Sequence, residues 1–272
     1  MLVSIPLLLV AIAASACISC FGINPNPAWL NAVYIPLLVI AFIILAFLIL
    51  ITVASIQGIG YDKDCVPEYH QKDRMNLSRL TDFCLALFTV KVQANGFEIV
   101  PDDQAFLVVG NHRSNIDSFC LDKILRKHKL VFVAKKSLFK LPWASPLMYK
   151  CGYLKLDRDD LSSGFEMMRN AQRLIQEGVS VGIFPEGTRG KVEGEMGPFH
   201  NGAFIAAIKA KAPIVVTALH KTHDVNNFLL CKVHKVTVNC LKVYQYEDYK
   251  DVDPNKLGEE IRSLMLEDIK IK

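Results

Sequence analysis

The hydrophobic pattern of the chain changes abruptly near residue 61. Up to that position there is no Lys, Arg, Asp, Glu or His, so all 31 basic and all 27 acidic residues follow it. Residues 1–21 and 28–55 are each long and apolar enough to cross roughly 30 Å of hydrocarbon as a helix. The Asn- and Pro-rich segment 22–27 separates them as a turn. This pattern predicts a membrane helical hairpin over residues 1–60 and excludes a wholly soluble protein.

Two other interpretations of the N-terminal region stay open. A cleaved signal peptide is less favoured, because no positive charge precedes the first apolar segment and a second one follows at once. Pro6 and Pro36 leave room for a re-entrant hairpin that enters one leaflet only. Basic residues follow the second segment but are absent from the 22–27 loop, which predicts that the remainder faces the cytoplasm. These residues are Lys63, Lys72, Arg74, Arg79 and Lys91.

Residues 61–272 alternate β-type runs with helical patterns. This order predicts a single α/β domain with a mostly parallel, buried sheet and flanking helices. The expected strands cover residues 105–109, 130–134, 153–156, 181–184 and 214–218. The expected helices cover residues 77–87, 161–177 and 202–209, with a closing helix from Pro254. Ser114 is expected to cap a helix that runs to about Lys127. A turn at Asn95-Gly96 should separate two short β-type runs, and a β-ribbon is expected near 231–243.

Composition narrows the class of protein further. Hydrophobic residues make up 51% of the chain, which excludes a disordered protein. The net charge of +4 is small and there is no long Lys/Arg run, so nucleic acid is not an expected partner. Of the eight cysteines, Cys17 and Cys20 have CxxC spacing, but they lie in an apolar segment with no His nearby. Buried thiols in a reducing compartment are favoured over a zinc or redox site.

The first stretch with candidate chemistry is Asn111-His112-Arg113-Ser114-Asn115-Ile116-Asp117. It follows a predicted strand and leads into a helix. It therefore lies at the carboxyl end of the strand, where open α/β sheets bind ligands. Asp117 can fold back to the imidazole of His112 and leave the other ring nitrogen to accept a proton from a hydroxyl. There is no GxSxG motif and no Ser or Cys obviously paired with His112. The stretch therefore predicts direct attack by a hydroxyl that His112 activates as a general base. Taken alone, HxxxxD also fits a turn histidine beside a capping aspartate.

The second stretch, residues 184–190, reads Phe-Pro-Glu-Gly-Thr-Arg-Gly and again follows a strand. Its glycines allow the backbone to approach a ligand closely. Thr188 can bind an oxyanion, and the planar guanidinium of Arg189 suits a phosphate group. Glu186 is unusual in an anion site; it could orient Arg189 or a nearby donor, or be a solvated loop carboxylate.

Together with Gly-Tyr-Leu-Lys-Leu-Asp-Arg at 152–158 and Ala-Pro-Ile-Val at 212–215, these stretches resemble the glycerolipid acyltransferase family. The resemblance is strongest to its lysophosphatidic acid acyltransferases and covers roughly residues 75–245. The first and third motifs are complete. In the second motif Lys155 replaces a more usual apolar or small residue, and the fourth motif lacks a second proline. Asp157 and Arg158 could simply pair with each other.

The resemblance implies a membrane-bound enzyme that acylates the sn-2 hydroxyl of lysophosphatidic acid and yields phosphatidic acid. His112 would be the base, oriented by Asp117, and Arg189 would bind the acceptor phosphate. Gly187 and Thr188 would shape its cradle, Glu186 would support it, and Asn111 would join the binding residues. Lys135 would be a second phosphate ligand, with an ordinary surface lysine as the alternative. The resemblance implies no metal and no cofactor; acyl-CoA or acyl-carrier protein is the donor. Residues 138–143 mix apolar, aromatic and basic side chains, as an interfacial segment does.

Three alternatives to this function remain at this stage. The acceptor could be glycerol 3-phosphate or another lysophospholipid. His112, Asp117 and Asp157 could form a metal-hydrolase site, although that leaves the 186–189 loop without a role. The chain could also be an inactive, membrane-anchored lipid-binding protein. Donor identity, acyl-chain preference and oligomeric state do not follow from the sequence.

Overall fold

The computed structural model describes residues 67–141, 145–190, 192, 194–226 and 233–271, together with scattered positions between 37 and 48. Contacts divide the chain into two compact units, Met1–Tyr61 with Leu141–Leu147, and Asp62–Lys140 with Met148–Lys272. Most of the predicted hairpin, including Cys17 and Cys20, lies outside the described residues. The described positions from 37 to 48 are helical, and five of their apolar side chains are about half exposed: Leu37, Ile40, Ile44, Leu45 and Leu48. Within the described ranges, no helix is long and apolar enough to cross a membrane.

Over its described residues, the larger unit is built on a seven-stranded sheet with the strand order β1-β7-β6-β2-β5-β3-β4. The strands are β1 (Val90–Asn95), β2 (Leu107–Gly110), β3 (Leu130–Lys135), β4 (Leu154–Leu156), β5 (Ser180–Ile183), β6 (Ile214–His220) and β7 (His234–Tyr244). Every neighbouring pair is parallel except β6 and β7. Strands β2 to β6 therefore end at one edge of the sheet, and β1 and β7 end at the other. The predicted α/β class with a mostly parallel sheet is confirmed.

Helices cover both faces of this sheet. The helices of the larger unit are α1 (Gln71–Leu87), α2 (Asp117–Ile124), α4 (Leu161–Gln176), α5 (Gly202–Ala210), α6 (Tyr246–Tyr249) and α7 (Pro254–Ile271); α3 (Ser145–Lys150) crosses the boundary between the units. Alternate residues of β2 enter opposite cores. Leu107 and Val109 pack in the cluster that includes residues of α4, α5 and α7, whereas Val108 packs in the cluster that includes residues of α1 and α2. Burial on both faces explains why the strands read as continuous apolar runs.

Three local predictions were wrong. Helix α2 begins at Asp117 and ends at Ile124, and its N-cap residue is Ile116 rather than Ser114, because the chain first turns through residues 113–116. The expected β-type run after Gly96 is a 3-10 turn, since β1 pairs with the distant β7. The expected ribbon near 231–243 is, over the residues described there, one long strand between β1 and β6.

Candidate active site

The two motif loops leave the same edge of the sheet side by side. Strands β2 and β5 pair in parallel, so the loops that follow Gly110 and Ile183 are neighbours. The backbone N–H of His112 donates to Oε1 of Glu186 over 2.9 Å. The backbone N–H of Gly190 donates to the carbonyl of His112 over 2.7 Å. The second loop therefore holds the main chain of His112 on both sides.

The imidazole of His112 is oriented by Asp117. Its Nδ1 lies 2.8 Å from Oδ2 of Asp117, which also accepts the backbone N–H groups of Arg113 (2.7 Å) and Ser114 (2.8 Å). Asp117 is 0% exposed, whereas the side chain of His112 is 20% exposed. A carboxylate on Nδ1 keeps the proton there and leaves Nε2 to accept another. The contact predicted between Asp117 and His112 is present.

Stacking against an aromatic side chain fixes the plane of the His112 ring. The ring of Phe184 lies parallel to His112, at 4.5 Å between centroids and 17° between planes. Phe132 lies behind Phe184 at 6.3 Å and 7°. A Cβ on Gly182 would lie 2.4 Å from Cε1 of Phe132, so glycine leaves the space for this ring. Sequence reasoning missed this stack, although Phe184 belongs to the 184–190 motif.

Glu186 is a buried connector between backbone segments. It is 5% exposed, and its Oε2 accepts the N–H of Gly197 over 3.0 Å, opposite the bond to His112. Burial raises the pKa of its carboxyl, although the two N–H donors and the charges of His112 and Arg113 act in the other direction. Arg262 of α7 in turn donates to the carbonyls of Gly197 and Met196. These contacts favour positioning of His112 over support of Arg189, and a role of Glu186 in substrate binding stays a prediction.

The rest of the 184–190 motif is more open to solvent. Gly187 has φ of +64°, a conformation that favours glycine, and Thr188 and Arg189 are exposed. A Cβ on Gly187 would lie 3.0 Å from Cδ2 of His200 and 3.8 Å from Nε of Arg158. The fold thus brings exposed Arg158 beside this loop. Sequence reasoning noted Arg158 at a strand end but gave it no part in the site.

The pairing suggested between Asp157 and Arg158 is replaced by another. Oδ2 of Asp157 accepts from Nζ of Lys136 over 2.7 Å. Strands β3 and β4 are parallel neighbours, so the segments that follow them meet at the edge of the sheet. This ion pair connects the segment after β3 to the loop before α4.

Lys135 and Asn111, the remaining predicted binding residues, occupy different environments. Lys135 is exposed at the end of β3, two strands away from β2. Asn111 is 2% exposed, and its amide donates to the carbonyl of Leu219 (3.0 Å) and accepts its N–H (2.7 Å). The contacts of Asn111 join β2 to β6. Substrate binding by either residue stays a prediction.

The thiol of Cys120, three residues after Asp117, is not an activated nucleophile. Cys120 of α2 is 0% exposed, and burial, followed by the charge of Asp117, raises the pKa of its thiol. A thiol in this environment stays protonated and is a poor nucleophile. In the part of the chain that the structure describes, no group of three His, Cys, Asp or Glu residues is placed to hold a metal ion.

Part of the chain is similar to a known protein family and to individual known proteins. Residues 91–220 match the Acyltransferase family model. The chain is 31% identical over 186 residues to the 1-acyl-sn-glycerol-3-phosphate acyltransferase alpha of Ovis aries, covering 66% of this chain and 63% of that protein. It is 34% identical over 143 residues to the 1-acyl-sn-glycerol-3-phosphate acyltransferase of Haemophilus influenzae, covering 51% of this chain and 57% of that protein. The chain thus spans less than two thirds of the length of these relatives.

A solved structure shares the fold. The crystal structure of the 1-acyl-sn-glycerophosphate (LPA) acyltransferase from Thermotoga maritima matches with a TM-score of 0.58. The match covers 73% of this chain and 78% of that one, at 19% sequence identity. The His112 loop and the 184–190 loop both lie within the residues that match the family model.

Proposed function

We propose that this chain, a member of the Acyltransferase family through residues 91–220, moves a fatty acyl group from a thioester to lysophosphatidic acid and so forms phosphatidic acid. The observation that carries the proposal is the 2.8 Å contact between His112 and buried Asp117. The backbone of His112 is in turn hydrogen-bonded to Glu186. The names of the relatives from Ovis aries and Haemophilus influenzae support the same reaction.

The chemistry needs a base and no protein nucleophile. Nε2 of His112 takes the proton of the sn-2 hydroxyl as its oxygen attacks the thioester carbonyl. Asp117 stabilises the imidazolium that results. The tetrahedral intermediate then collapses, the C–S bond breaks, and the imidazolium returns its proton to the leaving thiolate. The products are phosphatidic acid and a free thiol, with no acyl-enzyme.

The acceptor phosphate binds the exposed cations around the 184–190 motif. Arg189 is its main ligand, and Gly187 and Thr188 shape the cradle. Arg158 supplies a further charge because it lies beside Gly187. Lys135 is the more distant candidate, at the end of β3.

The same reaction accounts for the two parts of the chain, one apolar and one catalytic. Residues 1–60 form a membrane hairpin and residues 61–272 form the catalytic domain on the cytoplasmic face, where the acceptor lies in the bilayer. The donor is acyl-CoA or acyl-carrier protein, and the reaction uses no cofactor or metal. The absence of charge before residue 62 supports this placement.

The function is tested by incubating the purified, reconstituted chain with labelled acyl-CoA and a panel of acceptors. Lysophosphatidate should give labelled phosphatidic acid and one free thiol per product. Glycerol 3-phosphate and lysophosphatidylcholine should react at least tenfold more slowly. Preferred use of either of those acceptors would replace the proposed substrate, and no thiol release with any donor or acceptor would refute acyl transfer.

A further inference from the structure

Two large apolar side chains at the start of α4 are left out of the core. Leu161 is 86% exposed and Phe165 is 63% exposed. They are four residues apart, so they lie on the same side of the helix, one turn from each other. The buried residues of α4 are instead Met167, Ala171, Leu174 and Ile175. Packing of the domain therefore does not explain the apolar side chains at positions 161 and 165.

These side chains lie on the catalytic edge of the sheet. Helix α4 follows β4, whose carboxyl end is at the same edge as those of β2 and β5. Leu138, which is 43% exposed, belongs to the 3-10 turn after the neighbouring β3. The ion pair between Lys136 and Asp157 joins the two segments. Leu138, Leu161 and Phe165 together are called the apolar rim below.

Charged side chains of both signs belong to the segments that carry the apolar rim. Asp157 is paired with Lys136, and Oδ1 of Asp160 accepts the N–H and the hydroxyl of Ser162 at the start of α4. Asp159 and Glu166 add exposed carboxylates. Against these stand the exposed cations Lys135, Lys140 and Arg158. Apolar side chains next to cations are typical of a surface that meets phospholipid headgroups.

We propose that the apolar rim inserts into the interfacial region of a phospholipid bilayer and holds the catalytic edge of the domain against it. The proposal rests on the proposed function, because a lysophospholipid acceptor is delivered from a bilayer. A bilayer suits this surface better than a second copy of the chain, since the exposed side chains flank the loops that an embedded acceptor must reach. Lys135, Lys140 and Arg158 then lie at headgroup level.

The first test compares two acceptors in the full, reconstituted chain. The variant Leu161→Ser/Phe165→Ser should raise the apparent KM for long-chain lysophosphatidate in vesicles about tenfold. With a short-chain, monomeric lysophosphatidate its kcat/KM should stay within twofold of the wild type. Ile99→Ser is the matched control, because Ile99 is 51% exposed and follows β1, which ends at the opposite edge of the sheet. Equal losses with both acceptors would overturn the proposal.

The second test does not depend on activity. Phe165→Trp adds a tryptophan whose fluorescence brominated phospholipids should quench, measured as the difference from the unmodified chain, and Ile99→Trp should add no quenching. Quenching without acyl transfer would support insertion of the apolar rim into the bilayer and would refute only the proposed function. No added quenching, or self-association of the wild type that the double serine variant abolishes, would show that lipid does not cover the rim.

Discussion

Replacement of Asp117 by Asn removes the charge that His112 needs while changing little else. Oδ2 of Asp117 accepts three donors, and Oδ1 is buried with no hydrogen-bond partner. The Asn oxygen can keep the Oδ2 position, which puts the new NH₂ group at the partnerless Oδ1 position. The opposite orientation would set that NH₂ group against two N–H donors. The tautomer of His112 is therefore retained, and the main loss is the negative charge beside the imidazolium.

The size of this loss follows from the short contact. Two unit charges with centres about 4 Å apart interact by about 4 kcal/mol at an effective dielectric constant of about 20. That energy corresponds to about a thousandfold in rate. The partnerless NH₂ group should lower the free energy of unfolding by about 1–3 kcal/mol.

Steady-state acyl transfer to lysophosphatidate measures the effect of Asp117→Asn, and thermal unfolding shows whether the variant is folded. Asp103→Asn makes the same chemical change at an exposed site and should leave kcat unaltered. If Asp117→Asn kept its kcat within threefold of the wild type while remaining folded, the imidazolium would not need this carboxylate, and the proposed mechanism would be refuted.

Three further predictions concern the surroundings of His112. Because burial raises the pKa of Glu186 from its ordinary value of 4.5, the folded state holds its proton to higher pH than the unfolded state. The free energy of unfolding of the wild type minus that of Glu186→Gln should therefore fall as pH rises above about 4.5, and a rise would contradict the shift. Arg189→Ala should raise the acceptor KM about ten- to a hundredfold, by about 1.5–3 kcal/mol, without altering the donor KM, whereas exposed Arg169→Ala should change neither. Phe184→Leu removes a stacked pair worth about 0.5–1.5 kcal/mol and should lower kcat severalfold at unchanged acceptor KM, and an unchanged kcat would show that the ring does not orient His112.

The fold was largely predictable because both faces of the sheet are buried. The continuous apolar runs of β2, β5 and β6 are the direct consequence of that burial. The position of β7 between β1 and β6 was not predictable, since it depends on pairing across more than 130 residues. The local pattern around Asn95-Gly96 instead favoured a hairpin, which the distant strand displaces.

The candidate site likewise has contacts that the sequence predicted and contacts that it did not. The contact between His112 and Asp117 was predictable because the two residues are five positions apart at the start of a helix. The bond from the N–H of His112 to Glu186 spans 74 residues and follows from the pairing of β2 with β5. Sequence reasoning therefore placed Glu186 with the phosphate ligands. Arg262 lies beyond the family match, and no sequence pattern indicated its contact with Gly197.

Transfer of labelled acyl groups to lysophosphatidate by His112→Ala is the most direct test of the central claim that His112 is the general base. The reconstituted wild type should form labelled phosphatidic acid and free thiol in equal amounts. His112→Ala, folded and bound to the same vesicles, should form neither above the rate without protein. Phosphatidic acid formation by His112→Ala at the wild-type rate would contradict the claim.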